Sequence, residues 1–309
     1  MINHLISVDQ FDTDCINDLF VYAARCETGG GIPLLPKGIV STNLFYEPST
    51  RTSSSFYSAM AKLGGSVIPI NDVNYSSVSK GETLEDTIRT VACYSDVIVL
   101  RHPIVGSVAR AAAVSPVPVI NAGDGVGEHP TQALLDLYTI RKHKGLNSHI
   151  RIALVGDLKH GRTVHSLLKL LRLYNVEMHL VSPKELAMPN EYVKDGDLIH
   201  ETLDECIADV DVVYMTRVQK ERITTQEVVG NYALTLDHMA KAKKDMIVMH
   251  PLPRVDELPT TIDSDPRAVY FDQIKNGLYV RQAIFLRIFG SAAAFVGSQM
   301  PPWKNWVLT

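Results

Sequence analysis

Short apolar runs alternate along this chain with segments of helical periodicity, and that alternation is the signature of a parallel sheet with crossover helices. The runs IVSTNLFY, SVIPI, DVIVL, VPVIN, RIALVG, VEMHLVS, DVVYM and MIVMH are five to eight residues long and rich in Val, Ile and Leu. Between them, SSFYSAMAKLG places Phe56, Met60 and Leu63 on one helical face, and TVHSLLKLLRLY does the same with Val164, Leu167, Leu168 and Leu171. Core packing accounts for both stripes.

A chain of 309 residues is long for one hydrophobic core, since single cores stop growing near about 250 to 300 residues. The charged, glycine-containing segment RKHKGLNSHI, residues 141–150, separates a long helical pattern from a new strand and marks a boundary. The expected architecture is therefore α/β: two doubly wound domains, each with a mostly parallel sheet flanked by helices. Residues 1–144 form the first and 145–279 the second, with the C-terminal helix, from about residue 280 to 309, joined to the first.

Composition narrows the function. A net charge of −4 argues against bulk nucleic-acid binding, which calls for a basic excess, so any phosphate partner is expected to be small. Cys15, Cys26, Cys93 and Cys206 lie far apart with no CxxC pair, which points to neither a zinc ribbon nor a disulfide framework but to reduced, cytoplasmic thiols. No apolar run approaches the roughly 20 residues needed to span a bilayer, and MINHLISVDQ is no signal peptide, so no membrane association is expected. His160 and His165 are five apart and do not share a helix face as a zinc pair would, and no metal is expected.

The segments that follow the strands carry the chemistry. RHP follows VIVL, AGDGVGEHPTQ follows PVIN, DLKHGRT follows IALVG, TRVQKER follows VVYM, and HPLPR follows MIVM. Ligands of open α/β sheets bind outside the carboxyl ends of the strands, so these loops send basic and polar groups toward one edge. Any one of them reads equally well as a solvated loop. Arg51, Arg101, Arg162 and Arg217 all fall at strand ends, however, and coincidence is a poor account of four.

The stretch FYEPSTRTSSSF places Ser49, Thr50, Arg51 and Thr52 between a strand and a helix. One hydroxyl suffices to cap a helix, and the surplus sits where free N–H groups and the helix dipole favour an anion such as phosphate. GDLKHGRT, residues 156–163, nearly matches the P-loop of nucleotide triphosphatases but carries Arg162 in place of lysine. A planar guanidinium is no conservative substitute there; it suits a carboxylate, which it grips through two parallel hydrogen bonds. With no evident nucleophile beside a base, a small polyanionic substrate pair fits best.

The ordered segments FYEPSTRTSSSF, SSVSKGETLEDT, LRHP, NAGDGVGEHPTQALLDL, VGDLKHGRTVHSL, YMTRVQKER and MHPLPRVDE resemble the successive motifs of aspartate carbamoyltransferases. The likeness extends over nearly the whole chain and is greatest to that portion of the animal multifunctional pyrimidine-synthesis protein. It implies transfer of the carbamoyl group of carbamoyl phosphate to L-aspartate without cofactor or metal, in a cleft between the two domains.

The resemblance also implies roles. Ser49, Thr50, Arg51, Thr52 and Arg101 would hold the phosphate, and Thr52, Arg101 and His129 would donate to the carbonyl oxygen. Gln132 and the main-chain carbonyls of Pro251 and Leu252 would read the amide nitrogen, with a cis peptide between Leu252 and Pro253. Arg162 would take the α-carboxylate of aspartate, and Arg217 with Gln219 the β-carboxylate. Lys80, with Ser76 or Ser77, would reach the site from a neighbouring subunit of a homotrimer. Ornithine carbamoyltransferases are the nearest competitors, but their cysteine-containing HCLP segment is replaced here by MHPLP, and RVQKER supplies a cation suited to a second carboxylate. A non-catalytic carbamoyltransferase-like module would be expected to have lost charged site residues, and the matched positions here retain them.

Overall fold

The computed structural model describes residues 4–29, 34–71, 81–217 and 232–290. Nine strands form two parallel sheets among these residues, and the chain divides into two compact units. Residues up to Leu134 and from Asn276 onward form the first unit, and Leu135–Lys275 the second. Both divisions fall inside continuous helices, α5 (Pro130–Lys144) and α8 (Tyr270–Phe289), whereas the sequence expectation placed the first after residue 144.

The first unit holds β1 (Val40–Phe45), β2 (Ser66–Ile70), β3 (Val97–His102) and β4 (Val119–Asp124), in the order β2-β1-β3-β4. Helices α1 (Thr13–Thr28), α2 (Thr50–Lys62), α3 (Leu84–Ala92) and α4 (Ser107–Val114) alternate with them. Leu44, Ile88, Ile98, Leu100, Val108 and Val119 pack into one buried cluster with Ile6. Helix α1 ends where Gly29 adopts a left-handed conformation with φ of 70°, which glycine reaches without steric cost.

The second unit holds β5 (Ile150–Val155), β6 (Val176–Val181), β7 (Leu198–His200), β8 (Val212–Met215) and β9 (Ile247–Met249), in the order β7-β6-β5-β8-β9. Helices α6 (Arg162–Leu171) and α7 (Leu236–Lys241) belong here, and Val155, Val181, Val213, Met215, Val248 and Tyr270 sit in its core. Strand β7, a three-residue edge strand, was not expected from the sequence.

Each sheet is built outward from its first strand in one direction and then resumed on that strand's other side. The order therefore reverses between β1 and β3 in the first unit and between β5 and β8 in the second. At such a point the connections leave in opposite directions and open a crevice at the carboxyl ends of the two strands.

Candidate active site

In the first unit, the reversal point lies between the loop after β1 and the end of β3. Phe45 pairs with Arg101 across the two strands, and the Tyr46 N–H donates to the Arg101 carbonyl at 2.9 Å. This register brings Arg101 beside Glu47, and Arg101 Nε donates to Glu47 Oε2 at 3.1 Å. The pair is partly shielded from solvent, which strengthens a charge-assisted bond and fixes the plane of the guanidinium.

Helix α2 starts beside that pair. Ser49 is its N-cap, yet the Ser49 side chain makes no capping bond, and the first helical bond runs from the Ser53 N–H to the Ser49 carbonyl at 3.1 Å. The N–H groups of Thr50, Arg51 and Thr52 thus lie ahead of the helical ladder, at the positive end of the dipole. Thr52 is buried and Arg51 exposed. Asn43 Nδ2 donates to the Ser53 carbonyl at 3.1 Å, and Ser53 Oγ donates to Asn71 Oδ1 at 2.7 Å, so strand and helix start are tied together. From α8, Arg281 Nη1 donates to Ser55 Oγ at 3.0 Å, and its guanidinium lies over the Phe56 ring at 5.0 Å.

His129 is buried immediately before α5, where its carbonyl accepts from the N–H groups of Gln132 and Ala133 at 3.0 and 3.1 Å. Glu128 anchors this turn to the N-terminal segment, accepting from Ser7 Oγ at 3.0 Å and from the Val8 N–H at 2.8 Å. Gln132 stands half-buried in the first turn of the helix. The first unit thereby brings the helix start at residues 49–52, Arg101 and His129 to the carboxyl ends of β1, β3 and β4.

In the second unit, Gly156 follows β5 and Thr216 follows β8. The Thr216 N–H and Oγ1 both donate to the Val155 carbonyl, at 2.8 and 2.9 Å, and hold the two strand ends together. Gly156 has a φ of 116°, and a Cβ there would lie 2.5 Å from the Thr216 carbonyl oxygen, so only glycine fits. Arg162 opens α6 and is half-buried, as is Arg217 beyond β8. The two arginines flank the second reversal point. Lys80 and Gln219, with Ser76 and Ser77, lie outside the described residues.

After β9, the Leu252–Pro253 peptide is cis and Leu252 has a φ of 53°. A chain of buried polar groups holds this turn. The Leu252 N–H donates to His250 Nδ1 at 2.8 Å, and His250 Nε2 faces Glu257 Oε1 at 2.8 Å. The His250 N–H donates to Gln273 Oε1 at 2.9 Å, Gln273 Nε2 to Asp136 Oδ1 at 2.6 Å, and Tyr214 Oη to Asp136 Oδ2 at 2.7 Å. Burial pushes the Glu257 carboxyl up, but the His250 bond and backbone donors outweigh it and leave the group below its usual value. Sequence reasoning missed Glu47, His250, Glu257, Gln273 and Asp136. Glu47, Asp136, His250 and Glu257 lie inside quoted motifs, but their partners are set by tertiary register.

Residues 3–142 match the model of the aspartate/ornithine carbamoyltransferase carbamoyl-P binding domain, and residues 148–288 that of the Asp/Orn binding domain. The chain belongs to the aspartate/ornithine carbamoyltransferase family. Within that family it is 49% identical to the multifunctional protein CAD of Squalus acanthias over 93% of its own length, but spans only 13% of that protein. It is 48% identical to the aspartate carbamoyltransferase catalytic subunit of Thermoplasma acidophilum, covering 93% of this chain and 98% of that one. Among solved carbamoyltransferase structures, aspartate transcarbamoylase from Trypanosoma cruzi in complex with carbamoyl phosphate and aspartate superposes with a TM-score of 0.86 at 46% identity, covering 92% of this chain and 95% of that one. The same enzyme in complex with N-(phosphonacetyl)-L-aspartic acid gives a TM-score of 0.84 at 46% identity, covering 92% and 94%.

Proposed function

We propose that this chain transfers the carbamoyl group of carbamoyl phosphate to the amine of L-aspartate, giving N-carbamoyl-L-aspartate and phosphate for pyrimidine biosynthesis. The observation that carries the reading is the placement of arginines at both reversal points, Arg101 with the α2 start in the first unit and Arg162 with Arg217 in the second. One set suits a phosphate and a developing oxyanion; the other suits a dicarboxylate.

Ser49, Thr50, Arg51, Thr52 and Arg101 bind the phosphate. Thr52, Arg101 and His129 donate to the carbonyl oxygen, and Gln132 with the carbonyls of Pro251 and Leu252 takes the amide N–H groups. The aspartate amine attacks the carbonyl carbon, a C–N bond forms, the C–O bond to phosphate breaks, and the amine proton leaves with phosphate or solvent. Charge gathers on the carbonyl oxygen in between, and donors already aimed at it lower that barrier without reorganising. Arg162 and Arg217, with Gln219, orient the acceptor through its carboxylates. Lys80, with Ser76 or Ser77, completes the site of a neighbouring subunit in a cytoplasmic homotrimer. No cofactor, metal, nucleic acid or membrane takes part, and the chain works alone or within a longer multifunctional polypeptide.

The test is carbamoyl transfer by the purified protein, with L-aspartate and L-ornithine compared at equal carbamoyl phosphate. Product with aspartate alone is expected. Product with ornithine would overturn the acceptor assignment, and no product from folded protein would favour a non-catalytic module.

A further inference from the structure

The second sheet carries a cluster that the transfer reaction does not use. His179 lies on β6 and His200 ends edge strand β7, whose parallel register pairs His179 with Leu198 and Val181 with His200. The two histidines are therefore diagonal neighbours on one sheet face. Their rings lie nearly parallel and edge to edge, with centroids 5.1 Å apart and an interplanar angle of 9°, and His179 Nδ1 faces His200 Nε2 at 3.0 Å. The Cys206 sulfur joins them: the three potential ligand atoms lie within 4.8 Å of one another. His179 and Cys206 are buried and His200 half-buried.

The outer nitrogens decide what the inner ones can do. His179 Nε2 faces Glu177 Oε1 at 3.1 Å, and His200 Nδ1 faces Glu205 Oε2 at 3.5 Å. Glu205 is itself held, because its Oε1 accepts from the Thr202 N–H and Oγ1 at 2.8 and 2.9 Å. A carboxylate beside each outer nitrogen favours the tautomer with the proton there, in which the lone pair of each inner nitrogen turns toward the other. In that tautomer two acceptors 3.0 Å apart repel unless a proton or a metal cation lies between them. Carboxylate-backed histidines are the usual outer arrangement of metal-bound imidazoles.

We propose that His179, His200 and Cys206 bind one zinc ion, with Glu177 and Glu205 orienting the imidazoles and a fourth position open to water. Zn–N distances of about 2.0–2.1 Å and Zn–S of about 2.3 Å place tetrahedral ligand atoms roughly 3.5 Å apart, which a modest side-chain adjustment reaches. Binding releases the thiol proton, since the thiolate is the ligand. The ion would clamp the three-residue edge strand β7 to β6. This site is independent of the carbamoyl-transfer reading.

The test is titration of the chelator-treated full chain with Co²⁺, followed by displacement with Zn²⁺. One equivalent with thiolate-to-cobalt charge-transfer absorption and visible d–d bands is expected, with the charge-transfer band lost in Cys206→Ser. Glu177→Gln, on the partly exposed outer side, should weaken binding about 10- to 100-fold while leaving the folded circular dichroism spectrum unchanged. Absence of the cobalt spectrum in folded wild-type protein would overturn the proposal and leave a shared proton between the rings. A charge-transfer band that persists in Cys206→Ser would also overturn it, by placing the metal at another thiol.

Discussion

His250 and Glu257 meet at 2.8 Å, Nε2 to Oε1, with both side chains buried, and the same imidazole accepts the Leu252 N–H through its other nitrogen. The turn that presents the Pro251 and Leu252 carbonyls therefore hangs on one histidine whose tautomer a carboxylate sets. Glu257→Gln removes that control and leaves a buried group poorly matched. Removing a hydrogen-bonded charge of this kind costs roughly 1.5–3 kcal/mol, and denaturant midpoints should fall accordingly. A larger rise in KM for carbamoyl phosphate than for aspartate should accompany it. Unchanged stability and kinetics would mean that the turn holds its shape without the carboxylate.

Glu47→Gln should release one anchor of Arg101. The arginine stays charged but loses the hold of this ion pair on its plane. A drop in kcat of about tenfold, equivalent to ~1.4 kcal/mol, is expected with little change in melting temperature. Steady-state kinetics at saturating aspartate would read it.

Arg162→Lys and Arg217→Ala should separate the acceptor side from the donor side. Lysine keeps the charge but loses the planar fork, and each charge-assisted bond is worth roughly 1.5–3 kcal/mol. The expected outcome is a rise in aspartate KM of about 10- to 100-fold in both variants, with phosphate inhibition unchanged. Equal losses for both substrates would refute the division of labour.

Asp263 supplies a pH signature. Hydrogen bonds from Arg254 and then from Tyr270 hold its carboxyl at about 2, below the ordinary aspartate value of 3.8. The folded value is the lower one, so the stabilisation is complete above 3.8 and is lost as pH falls through 2. Asp263→Asn should flatten that part of the acid limb in urea midpoints measured between about pH 5 and 2, while wild type falls more steeply.

Gly156→Ala tests the joint between β5 and β8. The new methyl would meet the Thr216 carbonyl oxygen at 2.5 Å in a backbone region that side chains avoid. A loss of about 1–3 kcal/mol is expected. Because Thr216 precedes Arg217, aspartate KM should rise as well; thermal unfolding and kinetics on one preparation would show both.

Most of the strands were legible because buried parallel strands announce themselves as Val- and Ile-rich runs, as DVIVL does for β3 and RIALVG for β5, while SVIPI coincides with β2 residue for residue although that strand is only exposed or half-buried. Strand β7 was not, since Leu198 and Ile199 are exposed on an edge strand only three residues long, too short for any periodicity. Helix α8 starts at Tyr270, ahead of the expected NGLYVRQ, because the mixed turn YFDQIK hides its apolar face. Positions of charge at strand ends were readable, but the pairs that orient them were not. Glu47 and Arg101 are 54 residues apart and His179 and His200 are 21 apart, and only strand register makes them neighbours.

The repeated layout of the two sheets carries a consequence for how such chains diversify. In the proposed reading the groups for the donor's phosphate and carbonyl oxygen follow β1, β3 and β4, those for the acceptor's carboxylates follow β5 and β8, and the Pro251 and Leu252 carbonyls for the donor's amide follow β9. The arginines of the two sets, Arg51 and Arg101 against Arg162 and Arg217, sit on separate scaffolds with separate cores. On the proposed assignment, selection can thus retune which amine is accepted by altering the loops after β5 and β8, while the phosphate-facing loops of the first unit are inherited intact.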